Sequence, residues 1–340
     1  MSLKQFGSVI NKLVVDMNKK RMLMDGVQYI ADKVDDLNKK YNTTNYSLVV
    51  DIGEEGELDE LNVTILYQSN PRDLTSVLQM SINVSNRMTN IFVAYINGIV
   101  GQITGNTIIS MAKIFGCIIK AEQITLRDHS RLPNLCENNA ISMIKLYILS
   151  TGMSWYNSKG FVSELFGMEL EHNSAILSMN IVDFLEHQCS RRPKTVGRCK
   201  DDMNKFFDFF EKYNQHYPFL KDKGLVLTRS MTVQEFFTRI KEYILRNIPI
   251  KRKALHMLVC DHLNWLFVNI AVVNHTWGGN LNPYVIIYDE GLIYNLNNPI
   301  SLPPQSKFRV KSNRLPTTRK TTSSRKRSKK STTRRRRSIG

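Results

Sequence analysis

Two stretches of the chain carry residue types whose spacing suits chemistry. The first is Gln102-Ile103-Thr104-Gly105-Asn106-Thr107, which leads into a segment of helical character beginning near Asn106. Backbone N–H groups at a helix N-terminus face an incoming anion, and a glycine lets a phosphate approach without meeting a Cβ. Gln102, Gly105, Asn106 and Thr107 are therefore candidates for holding a phosphorylated ligand. The second stretch is cationic: Arg325, Lys326, Arg327, Lys329 and Lys330, followed by Arg334, Arg335, Arg336 and Arg337. Charges this dense neutralise successive phosphates and release condensed counterions, giving an affinity that falls steeply with salt. Nothing in the run would hold a side chain against a base edge, so the expected partner is nucleic acid bound without sequence preference. The same composition also suits a nuclear-import signal or an anionic membrane surface. Phosphorylation of the interleaved Ser and Thr residues would weaken any of these attractions.

Other constellations are weaker. Asp128, His129 and Ser130 are consecutive, so their side chains diverge; a turn capped by Asp128 or Ser130 is expected there rather than a proton relay. His256 and Cys260 lie four apart with His262 nearby, and His187, Cys189 and Cys199 form a second loose group. Neither has the paired CxxC spacing of a structural zinc site, and no metal is expected. The five cysteines are odd in number and scattered, which fits reduced thiols better than a disulfide framework. Trp155, Trp265 and Trp277, and the aromatic run Phe206, Phe207, Phe209, Phe210 and Tyr213, are expected in the core or an interface.

Charge separates the chain into two parts. Of its 340 residues, 47 are Lys or Arg and 30 are Asp or Glu, a formal net charge of +17. From Lys307 to Gly340 there are 15 basic residues and no acidic one, leaving 32 basic and 30 acidic residues in the rest. A nearly neutral body thus precedes a polycationic segment, which excludes a uniformly basic globule. With 42% of the whole chain hydrophobic, the body can bury a sizeable core. The most apolar stretch, Ala254 to Val273, is interrupted by His256, Asp261, His262, Asn264 and Asn269, so no transmembrane span is expected, and no secretory leader either.

Periodicity supplies the elements that must position these residues. Residues 8–41 predict helix, with a break or kink at Gly26. Tyr46 to Ile52 and Asn62 to Gln68 predict strands, and Ser76 to Val84 a helix. Ile91 to Ile103 reads as two strands around an Asn97-Gly98 turn. A helix over 106–119, a strand over 123–126 and a helix over 139–150 follow, together an α/β sandwich with a mixed sheet. Further on, helices are expected over 176–188 and 201–215, then one opened by a Thr232/Glu235 capping box and running to Arg246. A hairpin over 284–296 turns at Asp289-Glu290-Gly291. The fold class is α+β, in four parts: an N-terminal helical segment (1–45), an α/β core (46–165), a helical region with a hairpin (166–304) and a basic tail (305–340). The tail lacks the apolar surface to offset the entropy of ordering and is expected to be disordered.

The 102–107 loop resembles the Gln/Arg-x-x-Gly-x-Gly/Ala motif with which the GNAT acyltransferases hold the pyrophosphate of acetyl-CoA. Phe92-Val-Ala-Tyr-Ile-Asn-Gly-Ile-Val-Gly-Gln102 looks like that family's central hairpin, and Trp155-Tyr156…Gly160-Phe161 like its closing Tyr…Gly-Phe. The resemblance covers residues 60–165 and implies a GNAT-like fold with an acetyl-CoA site at Gln102, Gly105, Asn106 and Thr107. This chain departs from the motif at Thr107, where the family has Gly or Ala and where a larger side chain crowds the pyrophosphate. The strand before the loop reads as shortened, and no glutamate stands in a general-base position. A retained fold that has lost its chemistry, with no cofactor, is the expectation. Ile124-x-Leu126-x-Asp128-x-Ser130, then Cys136, then Gly152-x-Ser154-Trp155-Tyr156…Gly160-Phe161 also resembles uncharacterised proteins of large nucleocytoplasmic DNA viruses. That likeness implies a virion- or factory-associated protein, in the host cytoplasm or carried to the nucleus by its tail, contacting nucleic acid and other virion proteins or itself. The alternatives are an acetyl-CoA-dependent N-acetyltransferase and a capsid or core component with a genome-facing tail.

Overall fold

The computed structural model describes residues 3–53, 60–84, 88–99, 102–128, 131–136, 139–191, 196–216, 225–246, 253–273 and 282–300. The cationic run 325–337, His129, Ser130 and Trp277 lie outside the described residues, as does the expectation of a disordered tail. The fold is α+β, built on a mixed six-stranded sheet. Residues up to Pro303 form one compact unit, and a single hydrophobic cluster runs through it from Phe6 to Leu292.

Two helices open the chain, α1 (Leu3–Ile10) and α2 (Met17–Tyr41). Asp16 caps α2, accepting from the Lys19 N–H at 2.8 Å, and Asn42 ends it in the left-handed region at φ 47°. The interruption therefore falls at 11–16. Gly26, where the sequence predicted a break, lies within α2 and is buried. It is there for packing: a Cβ on it would meet Ile119 Cγ2 at 2.6 Å and Phe115 Cε2 at 2.9 Å.

The strands β1 (Tyr46–Ile52), β2 (Glu60–Asn70), β3 (Asp73–Val84) and β4 (Thr89–Ile96) form an antiparallel meander. β3 replaces the helix expected over 76–84. Leu78, Met80, Ile82 and Val84 are buried and alternate with less buried Gln79, Ser81 and Asn83, a period of two. A bulge at Val77, between Leu66↔Ser76 and Ile65↔Leu78, places Val77 and Leu78 side by side in the core and obscures that period. Among the described residues no second strand follows β4: Asn97 N–H bonds back to the Val77 carbonyl, and Ile99 and Ile103 form an isolated bridge.

Helix α3 (Gly105–Ile118) then crosses to β5 (Gln123–Arg127), which lies parallel to β4. Helices α2 and α3 pack against each other and, with α1, cover one face of the sheet. Parallel pairing of β4 and β5 stops at Val93↔Leu126. There a second bulge, at Ala94, turns β4 away from its neighbour. A small antiparallel pair, β6 (Arg131–Cys136) and β7 (Asn139–Ser142), precedes α4 (Met143–Thr151), so the first residues of the helix predicted over 139–150 are strand.

Four helices and α9 make up most of the rest. The helix expected over 176–188 is two, α5 (Phe166–Leu177) and α6 (Ile181–Ser190), separated where the Asn180 side chain caps α6. α7 (Val196–His216) carries the buried Phe206, Phe207 and Phe210. α8 (Val233–Arg246) opens on the predicted capping box, Thr232 Oγ1 accepting from Glu235 N–H and Glu235 Oε2 from Thr232 N–H. α9 (Lys253–Asn269) follows. The segment predicted as a hairpin divides between two sheets. β9 (Ile286–Ile287) lies parallel to β8 (Val272–Val273), whereas β10 (Gly291–Asn295) pairs with β5 at the edge of the main sheet. Among the described residues no helix is long and apolar enough to cross a membrane.

Cysteine usage also differs from expectation. Cys189 and Cys199 form a disulfide, with Cα atoms 5.5 Å apart, instead of remaining reduced thiols. The short connection between the last turn of α6 and the first of α7 brings them together. Cys117 on α3 is free and exposed.

Candidate functional site

The loop that the sequence singled out does open a helix, and α3 begins at Gly105 as expected. Its polar groups, however, are turned on one another. The Gln102 side-chain oxygen accepts from the Tyr46 hydroxyl, and its backbone carbonyl accepts from the Tyr41 hydroxyl. The same pair of interactions keeps Tyr46, with Tyr67 packed against it at 4.8 Å between ring centroids, tied to the loop. Burial beside those tyrosines pushes the Tyr46 hydroxyl up to about 12, so it stays a neutral donor.

At the helix end itself, Thr104 Oγ1 takes the Thr107 N–H and lies 3.0 Å from the Thr107 hydroxyl. The space that Gly105 leaves open is filled by a ring, for a Cβ there would meet Trp155 Cη2 at 2.8 Å. Trp155 in turn packs edge-on to Tyr156 at 4.9 Å. Of the four candidates, Gln102 and Thr107 are satisfied internally and Gly105 faces an indole. Asn106 contributes only its carbonyl, to Ser110. The side chains of this loop are thus engaged within the chain itself, and an indole lies against its glycine.

Beyond Trp155 the chain turns through a 3-10 segment, Asn157–Lys159, to Gly160 at φ 86°, where a Cβ would approach the Tyr294 ring at 3.1 Å. Lys113 of α3 reaches across this turn. Its ammonium sits 3.6 Å from the Tyr294 centroid and donates to the Lys159 carbonyl. Burial, with the Lys159 charge adding to it, pushes Lys113 down to about 8.

A second and denser polar cluster lies at the C-terminal end of β5. Asp128, fully buried, accepts from the Tyr288 hydroxyl at 2.7 Å. Ser154 and Asn157 close the neighbouring turn, each accepting the other's backbone N–H. Glu169, 2% exposed, accepts from Ser163 Oγ at 2.8 Å and from the Asp289 N–H at 3.1 Å. Burial pushes its carboxyl up to about 6, against those two hydrogen bonds and helped by the Asp289 charge.

Glu169 belongs to a ladder of side chains along α5. His172 Nε2 bonds the Val285 carbonyl, and Asn173 bonds both the carbonyl and the N–H of Ile287. Residues 169, 172 and 173 share one helix face, while 285, 287 and 289 share one edge of an extended segment. The helix thus supplies through side chains the hydrogen bonds that a neighbouring strand would have supplied through its backbone. Gln188 of α6 extends the pattern, donating to the Tyr284 carbonyl and accepting from the Ala271 N–H. Every member is matched to a group of this chain, so the cluster ties α5 and α6 to the 284–289 segment.

Sequence reasoning reached Asp128 but none of its partners. In the first histidine–cysteine group Cys189 and Cys199 are oxidised together and His187 stacks on Tyr284 at 3.5 Å, whereas the side chains of His256 and Cys260 lie outside the described residues. Trp155 and Trp265 are core-packed as expected. No family model matches this chain, and no match was found among curated proteins or solved structures.

Proposed function

We propose that this chain is a nucleic-acid-binding protein whose cationic C-terminal segment holds phosphate backbones without sequence preference, on a GNAT-like body that no longer transfers acyl groups. The observation that carries the reading is the charge partition: 15 basic and no acidic residues from Lys307 onward, against a near-balanced remainder. A crossover helix between parallel strands that part at a bulge, with two helices before the meander, supports the GNAT-like comparison. Internal satisfaction of Gln102, Thr104 and Thr107, and the indole over Gly105, support loss of the acyl-CoA site rather than its use. A virion or viral-factory setting rests on the sequence resemblance alone.

The test uses the full chain with Arg325, Lys326, Arg327, Lys329, Lys330 and Arg334 to Arg337 all changed to Gln. Fluorescence anisotropy with a labelled oligonucleotide, repeated across a salt series, reads the binding. The unchanged chain is expected to bind both mixed-sequence and homopolymeric DNA with a steep inverse dependence on salt, and the neutralised chain to lose that binding. Equal binding by the two at moderate salt overturns the reading.

A further inference from the structure

The face of the main sheet opposite α1, α2 and α3 carries no fully buried residue in its two central rows. Register identifies what it presents. Asp51, Asn62, Ser81, Phe92, Thr125 and Ile293 form one row across all six strands. The next row runs Val49, Thr64, Gln79 and Tyr95, with Arg127 alongside on β5. Phe92 and Tyr95 are three apart and would face opposite sides of a regular strand. The bulge at Ala94 turns both outward, leaving them 41% and 46% exposed. Leu74, 61% exposed, stands farther along β3 on the same side.

Two aromatic rings in the middle of a sheet, among neutral Ser, Thr, Asn and Gln and with a leucine toward the β2–β3 turn, have the composition of an interface core with a polar surround. The charges lie at the margins and differ in sign. Asp51 and Glu60 stand on the β1–β2 side, and Arg127 stands on the β5 side. We propose that this face is the contact surface between two copies of the chain, packed sheet on sheet about a two-fold axis that runs along the strands near β3 and β4. That axis keeps height along the strands and lays β5 of one copy over β2 of the other, so Arg127 of each comes over Thr64, one residue row from Asp51 of its mate. Six strands at ~4.8 Å spacing and ~20 Å of strand length give about 500 Å² in projection per copy. The pair therefore buries on the order of 1,000 Å² or more, enough for a specific dimer. Nucleic acid is the poorer occupant, because two carboxylates against one guanidinium repel a phosphate backbone. The proposal does not depend on the function assigned to the basic segment.

Light scattering on the nuclease-treated full chain at high salt, where polyanion bridging is suppressed, is expected to return twice the mass of one chain. The double variant Phe92→Glu/Tyr95→Glu is expected to return the mass of one chain with an unchanged circular-dichroism melt, both side chains being exposed in the single copy. A monomeric unchanged chain overturns the proposal, and so does a dimer that persists in the variant. Should the variant precipitate, Ser81→Cys near the axis decides. A covalent dimer under mild oxidation that a Ser81→Cys/Cys117→Ser chain forms and a Cys117→Ser chain does not supports the contact, and its absence overturns it. Single-stranded DNA binding that survives neutralisation of the basic segment but is lost in Phe92→Glu/Tyr95→Glu would make the face a nucleobase platform and overturn the dimer.

Discussion

The Tyr288 hydroxyl donates to the Asp128 carboxylate at 2.7 Å, joining positions 160 residues apart in sequence. It fixes the start of β10 to the end of β5, where the Asp128 N–H also bonds the Glu290 carbonyl. Burial and the Asp128 charge push the tyrosine far above its ordinary range, so it remains a donor at any ordinary pH. Tyr288→Phe keeps the ring and removes the donor, leaving a fully buried carboxylate short of one partner. The expected loss is about 1–3 kcal/mol in a urea melt. An unchanged midpoint would mean that the carboxylate is satisfied without the tyrosine.

Glu169 makes stability depend on pH in the direction opposite to most carboxylates. Its folded value, about 6, lies above the ordinary 4.5. The folded chain therefore holds a proton that the unfolded chain has released between those values, and stability falls as pH rises through that window. At neutral pH the accumulated cost is about 2 kcal/mol. Glu169→Gln retains an oxygen for Ser163 and the Asp289 N–H but cannot ionise. It is expected to raise the melting midpoint at pH 7.5 and to match the unchanged chain below pH 4.5. A variant less stable at both pH values would refute this account.

The indole over Gly105 predicts how the body responds to acyl-CoA. Trp155 Cη2 lies only 2.8 Å from the place a Cβ on Gly105 would occupy, so an indole fills the side of the α3 N-terminus that the glycine leaves open. Calorimetry of the full chain with acetyl-CoA is expected to show no saturable heat beyond that of free phosphate meeting the basic segment. The comparison uses the chain neutralised at Arg325 to Arg337, so that the segment does not mask the result. Tight binding that Gly105→Trp abolishes would restore the acyltransferase reading.

The Cys189–Cys199 bridge closes a loop of 10 residues between α6 and α7. Chain-entropy reasoning gives such a bridge about 2.5 kcal/mol. Both sulfurs are buried, so Cys189→Ala/Cys199→Ala also loses some packing. The double variant is expected to melt lower by at least that amount, and reducing agent to lower the unchanged chain's midpoint but not the variant's. A midpoint insensitive to reductant would show that the thiols are not joined.

Local pattern carried the sequence reading wherever one strand or helix face met the core directly. Tyr46–Ile52 alternates cleanly and was legible to the residue; the Thr232–Glu235 box was legible because its partners are three residues apart. β3 was misread because the bulge at Val77 sets two apolar residues side by side. The 284–296 turn looked like a hairpin because turn chemistry shows that a chain reverses, not which neighbour each arm finds; β9 joins β8 and β10 joins β5. The α5 ladder was out of reach for the same reason. Glu169, His172 and Asn173 look like surface polar residues until the segment they bond, more than a hundred residues later, lies beside them. Closure of the Gly105 cradle likewise depends on Trp155, fifty positions on.

Gly26 sets two opposed magnitudes against each other. Replacing a helix-interior glycine by alanine ordinarily stabilises by about 1 kcal/mol, through reduced freedom of the unfolded chain. At Gly26 the new Cβ would stand 2.6 Å from Ile119 Cγ2 and 2.9 Å from Phe115 Cε2, and both of those side chains are fully buried. Overpacking of this kind costs about 1–3 kcal/mol, because neighbours held on all sides cannot retreat. The clash is expected to win, leaving Gly26→Ala less stable by about 1 kcal/mol. In an Ile119→Ala background the nearest obstacle is gone, and the same substitution should become neutral or stabilising. A double-mutant cycle read by urea melts measures the coupling. If Gly26→Ala stabilises the unchanged chain, α2 and α3 cross more loosely than their atoms indicate; if it costs the same in both backgrounds, the cost is not paid at Ile119.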